Sequence, residues 1–116
     1  MGVATTRRQV EERELALRYH QEGDLHAREE LVTRLLPLAR ELALRYSYTD
    51  EPFDDLLQVA SIGLLKAIDR FEPERGIKFT SYAVPTILGE LKRHFRDKGW
   101  AVHVPRDLQE RVLAVA

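Results

Sequence analysis

Apolar residues recur at three- and four-residue spacing nearly throughout the chain, and strand-like alternation is absent, so the pattern predicts an all-α fold. A first helix is expected from about Arg7 to His20, with Val10, Leu15, Leu17 and Tyr19 as its apolar positions and Gly23 as its C-cap. Asp24 can cap a second helix beginning near Leu25, where Leu31, Leu35, Leu38 and Leu42 form one stripe. Pro37 interrupts that stripe because its nitrogen has no hydrogen to donate, which predicts two abutting helices with the proline in the first turn of the second. Ser47 to Pro52 reads as a loop, and Asp54 can cap a strongly apolar helix reaching Phe71. On it Leu57, Leu64, Ile68 and Phe71 suit a core, while Leu56, Val59, Ile62 and Leu65 form a surplus that one neighbour cannot bury, leaving some for a partner.

Glu72 to Ile77 carries turn chemistry, with Pro73 fixing one dihedral and Gly76 free to take a positive one. A long final helix is expected next, capped by Thr80 or Ser81, running to about Lys98 and ended by Gly99. Val84, Ile87, Leu88, Leu91 and Phe95 would point inward, and Pro85 should disturb the first turns. Another helix is expected near Arg106, after Val104-Pro105; the sequence stops at Ala116 while still apolar, which predicts a piece of a longer protein.

Composition narrows the chemistry. A length of 116 residues with 44% apolar content suits one modest core, and the lack of cysteine excludes disulfides and thiolate metal sites. The polar start, Met1 to Arg8, followed by the charged run Glu11 to Glu14, predicts a soluble cytoplasmic protein with no signal peptide and no membrane span. His20, His26, His94 and His103 stand apart without metal-ligand or triad spacing, so they read as surface residues, and neither an enzyme nor a cofactor is expected. The net charge of -1 conceals an uneven split: 11 Lys/Arg against 15 Asp/Glu up to residue 76, then 7 against 4 from residue 77 onward. A nucleic-acid surface would therefore lie in the C-terminal third.

That third interleaves cations with aromatics over residues 75–100. Single-stranded DNA asks for this mixture, since cations neutralise phosphates while ring faces replace lost base stacking at roughly 1–3 kcal/mol per base. Lys78, Phe79 and Tyr82 gather at the start of the last helix, and Lys92, Arg93 and Arg96 form a basic stripe opposite Leu88, Leu91 and Phe95. The residues alone leave a plainer alternative open, in which Phe79 and Tyr82 are core, the basic stripe is a solvated face and Trp100 is a C-cap contact.

The run Asp54 to Phe71, followed by Arg75-Gly-Ile-Lys-Phe-Thr-Ser-Tyr-Ala83, resembles the second conserved region of primary-type bacterial RNA polymerase sigma factors. The continuation Ala83 to Arg106 resembles their general-stress, sporulation and flagellar-like branch. The resemblance implies a compact multi-helix domain over residues 24–103, preceded by an N-terminal helix or linker (1–23) and followed by the start of a further region (104–116). It implies docking on a coiled coil of the core polymerase β′ subunit through Asp55, Gln58, Val59, Ser61, Ile62 and Leu65. It also implies recognition and melting of the minus-ten promoter element, with a flipped non-template base captured near Lys78, Phe79 and Tyr82. Arg75, Thr86, Lys92, Arg93, Arg96, Lys98, Trp100 and Arg106 complete the implied DNA surface. An anti-sigma factor is a further implied partner. Pro85-Thr86 stands where housekeeping members carry a tryptophan pair, which implies weaker or differently assisted melting.

Two other readings compete. A protein-interaction domain would present the basic stripe to an acidic partner and never touch DNA. A duplex-reading helix-turn-helix would need a tighter connection than the one before the final helix.

Overall fold

The computed structural model describes residues 6–98, which form four α-helices and one short 3-10 turn with no strand among them. Helix α1 (Arg7–Glu22) opens with a capping box: the Gln9 amide donates to Thr6 Oγ1 at 3.1 Å, and the Thr6 amide donates to Gln9 Oε1 at 3.1 Å. It ends at Gly23 with φ 68°, where the Gly23 amide donates to the Tyr19 carbonyl as in an αL cap and the Asp24 amide donates to the Arg18 carbonyl. Asp24 then caps α2 (Leu25–Leu44) by accepting from the amides of His26 and Ala27.

Helix α2 is continuous through Pro37, against the expected break into two helices. An interior proline costs about 3 kcal/mol, whereas each fully buried leucine contributes about 1.5–3 kcal/mol. Leu31 and Leu35 before the proline and Leu42 after it are each 1% exposed on one stripe, so the core outweighs the missing bond. The carbonyl Pro37 cannot serve belongs to Thr33, an exposed residue open to water.

Helix α3 (Phe53–Arg70) starts one residue before the expected cap: Pro52 is its N-cap and Asp54 and Asp55 lie in its first turn, where their charges suit the helix dipole. The face assignment needs one correction. Leu56, expected in the surplus, is fully buried, and Leu57, expected in the core, is half-buried. The inward stripe is Leu56, Ala60, Gly63, Leu64, Ala67 and Ile68, with Phe71 buried beyond it, so Leu64, Ile68 and Phe71 stand as expected and small residues complete the stripe where a neighbour closes in.

That neighbour is α4 (Phe79–Asp97), which follows the turn Pro73–Arg75 and Gly76 at φ 76°. A Cβ on Gly63 would stand 2.8 Å from the Ile87 Cα, so glycine is what lets these two helices close. Lys66 Nζ and Glu90 Oε2 pair across the same contact at 2.7 Å. Helix α4 begins at Phe79 with Lys78 as an N-cap lacking a side-chain bond, so Thr80 and Ser81 lie inside the helix and do not cap it. Pro85 does not interrupt it either: Ala83, Ile87, Leu88, Leu91 and Phe95 are all buried on its inner side.

Helix α1 lies outside the sequence motifs yet is fastened to the rest of the chain. Arg13 Nε donates to the Pro73 carbonyl at 3.1 Å, Tyr19 Oη to Asp69 Oδ1 at 2.7 Å, and Gln21 Nε2 to Glu74 Oε2 at 3.0 Å. His20 Nε2 lies 2.8 Å from the Ile68 carbonyl at the end of α3. None of the helices described is long and apolar enough to cross a membrane.

Candidate nucleic-acid and polymerase interfaces

The turn between α3 and α4 leaves an open recess of about 290 Å³, walled by Arg70, Phe71, Glu72, Arg75, Ile77 and Tyr82. Two arginines, a half-buried tyrosine ring and the 52%-exposed Ile77 thus meet in one place. The floor is aromatic. Phe71 packs edge-on against Phe79 at 5.1 Å and tilted against Tyr82 at 5.9 Å, which fixes where the Tyr82 ring stands.

Phe79 corrects an expectation. It is 4% exposed and cannot offer a ring face to a base; its part is to back Phe71, which in turn backs Tyr82. It turns inward because α4 starts at Phe79 itself, so the residue falls on the stripe continued by Ala83 and Ile87. Lys78 and Arg75 remain exposed, Arg75 holding Glu72 Oε1 at 3.0 Å on the rim.

Down α4, steps of about 100° per residue bring Lys78, Tyr82, Thr86, Arg93 and Arg96 onto one face, with Lys92 beside it. Lys92, Arg93 and Arg96 are exposed, and Thr86 is half-buried with its hydroxyl donating to the Tyr82 carbonyl at 3.0 Å. Arg96 lies 3.7 Å from Asp97, an exposed contact of little energetic weight. Lys98 is drawn away to Glu51 at 3.3 Å, while Trp100 and Arg106 lie outside the described residues.

On α3, the expected docking residues Asp55, Gln58, Ile62 and Leu65 follow one another at spacings of three, four and three, which sets them on one outward face. Ile62 is 48% exposed, Gln58 is exposed, and Asp55 and Leu65 are half-buried. Ser61 flanks this face with its hydroxyl donating to the Leu57 carbonyl at 2.7 Å. Val59 borders its other edge, four residues after Asp55 and three before Ile62, packed partly against the core.

A charged node below the basic stripe was not legible beforehand. Glu51, in the loop before α3, is 8% exposed and accepts from His94 Nε2 at 3.0 Å and Lys98 Nζ at 3.3 Å. Burial works against the charged form, but these hydrogen bonds prevail and hold the carboxyl below the ordinary carboxylate value. His94 is therefore half-buried and bonded, not the surface residue expected, and the node fastens the last turn of α4 to the α2–α3 loop. No group of three or more metal-ligating side chains occurs among the described residues.

Comparison with known proteins agrees with this architecture. The sequence profile of Sigma-70 region 2 matches residues 31–101. RNA polymerase sigma factor SigF of Mycobacterium tuberculosis is 53% identical over 83 residues, covering 72% of this chain and 32% of that protein. RNA polymerase sigma-B factor of Bacillus subtilis is 47% identical over 92 residues, covering 79% of this chain and 35% of that protein. The chain thus spans roughly a third of the length of these relatives. A putative sigma-G factor of Bacillus thuringiensis is 40% identical over 112 residues, covering 94% of this chain and 89% of that protein. With more than half its length inside the profile and a four-helix architecture to match, the chain belongs to the Sigma-70 region 2 family.

Proposed function

We propose that this chain is the part of a sigma factor that joins core RNA polymerase to the minus-ten promoter element, and that it holds one unstacked base of the non-template strand against Tyr82. The observation that carries this is the standing of Tyr82: its half-buried ring walls an open recess at the head of a helix face continued by Thr86, Arg93 and Arg96. An unpaired base has lost its stacking partner, and a ring fixed from behind by Phe71 can replace it at little entropic cost. Arg70 and Arg75 border the recess and the lower cations follow the phosphates, so base capture and backbone binding fall along one path. Residues 24–103 would carry these roles.

The outward face of α3 supplies the second attachment. Ile62 and Leu65 present apolar surface between the polar Asp55 and Gln58, a composition that suits a helix of the β′ coiled coil. Relatives named for sigma-B, sigma-F and sigma-G support placing the chain in the stress and sporulation branch, and an anti-sigma factor that occupies the same α3 face is the regulator this placement suggests.

Two measurements test the proposal. Anisotropy of a fluorescent minus-ten single strand should show binding that weakens steeply with salt, with about a ten-fold loss in Tyr82→Ala. Pull-down on a β′ coiled-coil peptide should be lost in Leu65→Asp and kept in Tyr82→Ala. Equal binding of the strand by Tyr82→Ala would remove base capture from the account, and undiminished pull-down by Leu65→Asp would remove the docking face.

A further inference from the structure

Burying a carboxylate is costly unless partners take up its charge, so a sealed one that the fold serves only in part points to a partner from outside. Glu12 is such a group. It lies in α1 at 3% exposure, and the hydrogen bond it accepts comes from Arg8 Nε to Oε2 at 3.3 Å. Its other oxygen, Oε1, accepts no hydrogen bond among the described residues. Arg8 stands mostly in solvent, its side chain 70% exposed, so its charge is well screened. Burial outweighs both Arg8 and Arg34 and raises the Glu12 carboxyl above its ordinary value.

Glu12 borders an open cavity of about 390 Å³ whose lining comes from α1 and its cap, α2 and the first turn of α4, with nothing from α3. The cavity is therefore separate from the recess at Tyr82 and from the outward face of α3. Leu35, Pro37 and Leu38 make part of its wall apolar. Two further polar groups on the wall lack partners among the described residues: Glu41, exposed and without an ion pair, and the hydroxyl of the half-buried Thr80. Two carboxylates against the one guanidinium of Arg8 give the lining a negative balance.

We infer that this cavity receives an arginine side chain of a partner protein, its guanidinium between Glu12 and Glu41 and its stem along Pro37 and Leu38. Arginine suits the place better than lysine. Its planar fork can donate to two carboxylates at once, and its weaker hydration makes entry into a partly dry cavity less costly. The apolar wall covers the aliphatic stem, and the Thr80 hydroxyl is a further acceptor. Because the cavity is open, a free small cation would gain few contacts there, whereas a side chain carried on another surface is held by its surroundings as well. The inference does not depend on the DNA reading of α4.

A nuclear magnetic resonance titration of the whole chain tests it, with a capped pentapeptide that has arginine at its centre and alanine elsewhere. The Leu38 methyl and Thr80 signals should shift saturably, and the same peptide with neutral citrulline in place of arginine should leave them unmoved. Glu12→Gln should bind roughly ten-fold more weakly while melting no lower than wild type, which separates loss of the site from loss of the fold. Arg8→Gln removes the internal competitor and should bind more tightly. Tyr82→Ala should bind the peptide as wild type does. Equal shifts with citrulline, undiminished binding by Glu12→Gln, or weaker binding by Arg8→Gln would each overturn the inference. Butylguanidinium, the side chain without a peptide, should bind less tightly than the arginine peptide; equal affinity would make the occupant a free small cation, and the protein partner would be wrong.

Discussion

Glu51 and Glu12 are both sealed carboxylates, 8% and 3% exposed, and their surroundings push them in opposite directions. Glu51 is held low by His94 and Lys98 in spite of burial. Glu12 is raised by burial, which the exposed Arg8 at 3.3 Å and the charge of Arg34 only partly offset. A carboxylate with a lowered folded value lends stability above its ordinary value and loses it as pH falls through the lowered one; a raised one weighs against the fold at neutral pH and is relieved on protonation. Glu51→Gln should therefore cost about 1–3 kcal/mol at neutral pH, a deficit that closes in acid below the ordinary carboxylate value of 4.5. Glu12→Gln should be neutral or stabilising by up to about 1 kcal/mol at neutral pH. Chemical denaturation across a pH series checks both, and a destabilising Glu12→Gln would show that Arg8 and Arg34 together contribute more than burial removes. The Glu51 node was not visible in the sequence, because Glu51 and His94 meet only when the α2–α3 loop folds under the end of α4.

At the scale of the helix, the contact of α3 with α4 depends on small residues. Gly63→Ala adds a Cβ that must displace the Ile87 backbone, and the expected loss is about 1–3 kcal/mol despite alanine's better helix propensity, read as a lower denaturant midpoint. An unchanged midpoint would mean that the two helices slide apart without cost. The helices themselves were legible: the caps at Gly23 and Asp24, the loop before Phe53 and the inward Ile87, Leu88, Leu91 and Phe95 all follow from local chemistry. What local chemistry could not supply was tertiary. Pro37 and Pro85 look like breaks until the buried residues on both sides of each are counted: Leu31, Leu35 and Leu42 around Pro37, and Phe79, Ala83, Ile87 and Leu88 around Pro85. On α3 the expected Leu64, Ile68 and Phe71 are buried, and only Leu56 and Leu57 exchange places, because Gly63 and Ala67, weak as hydrophobic signals, are where α4 sits. Phe79 looked like a presented ring because its helix begins earlier than its capping residues suggested.

Over the whole molecule the two proposed attachments are tied together by the core. Helix α3 gives its inner side to α4 and its outer side to the proposed docking face, so the proposed polymerase contact and the recess stand on one packed pair of helices. Helix α1 holds the turn at the rim of the recess through Arg13 and Gln21, a part that no motif announced and that spacing alone could not reveal. The candidate site was half legible: Tyr82 and the basic stripe stood out as a mixture of rings and cations, whereas Arg70, Phe71 and Ile77 join them only once the turn folds back. The measurement closest to the central claim is a nuclear magnetic resonance titration of the chain with a minus-ten single strand. Capture of a base against Tyr82 predicts large shifts of the Tyr82 ring and Ile77 methyl signals at saturation, with the buried Phe79 ring little changed. Shifts confined to Lys92, Arg93 and Arg96, with Tyr82 and Ile77 unmoved, would mean that the strand is held by its phosphates alone and would contradict the account.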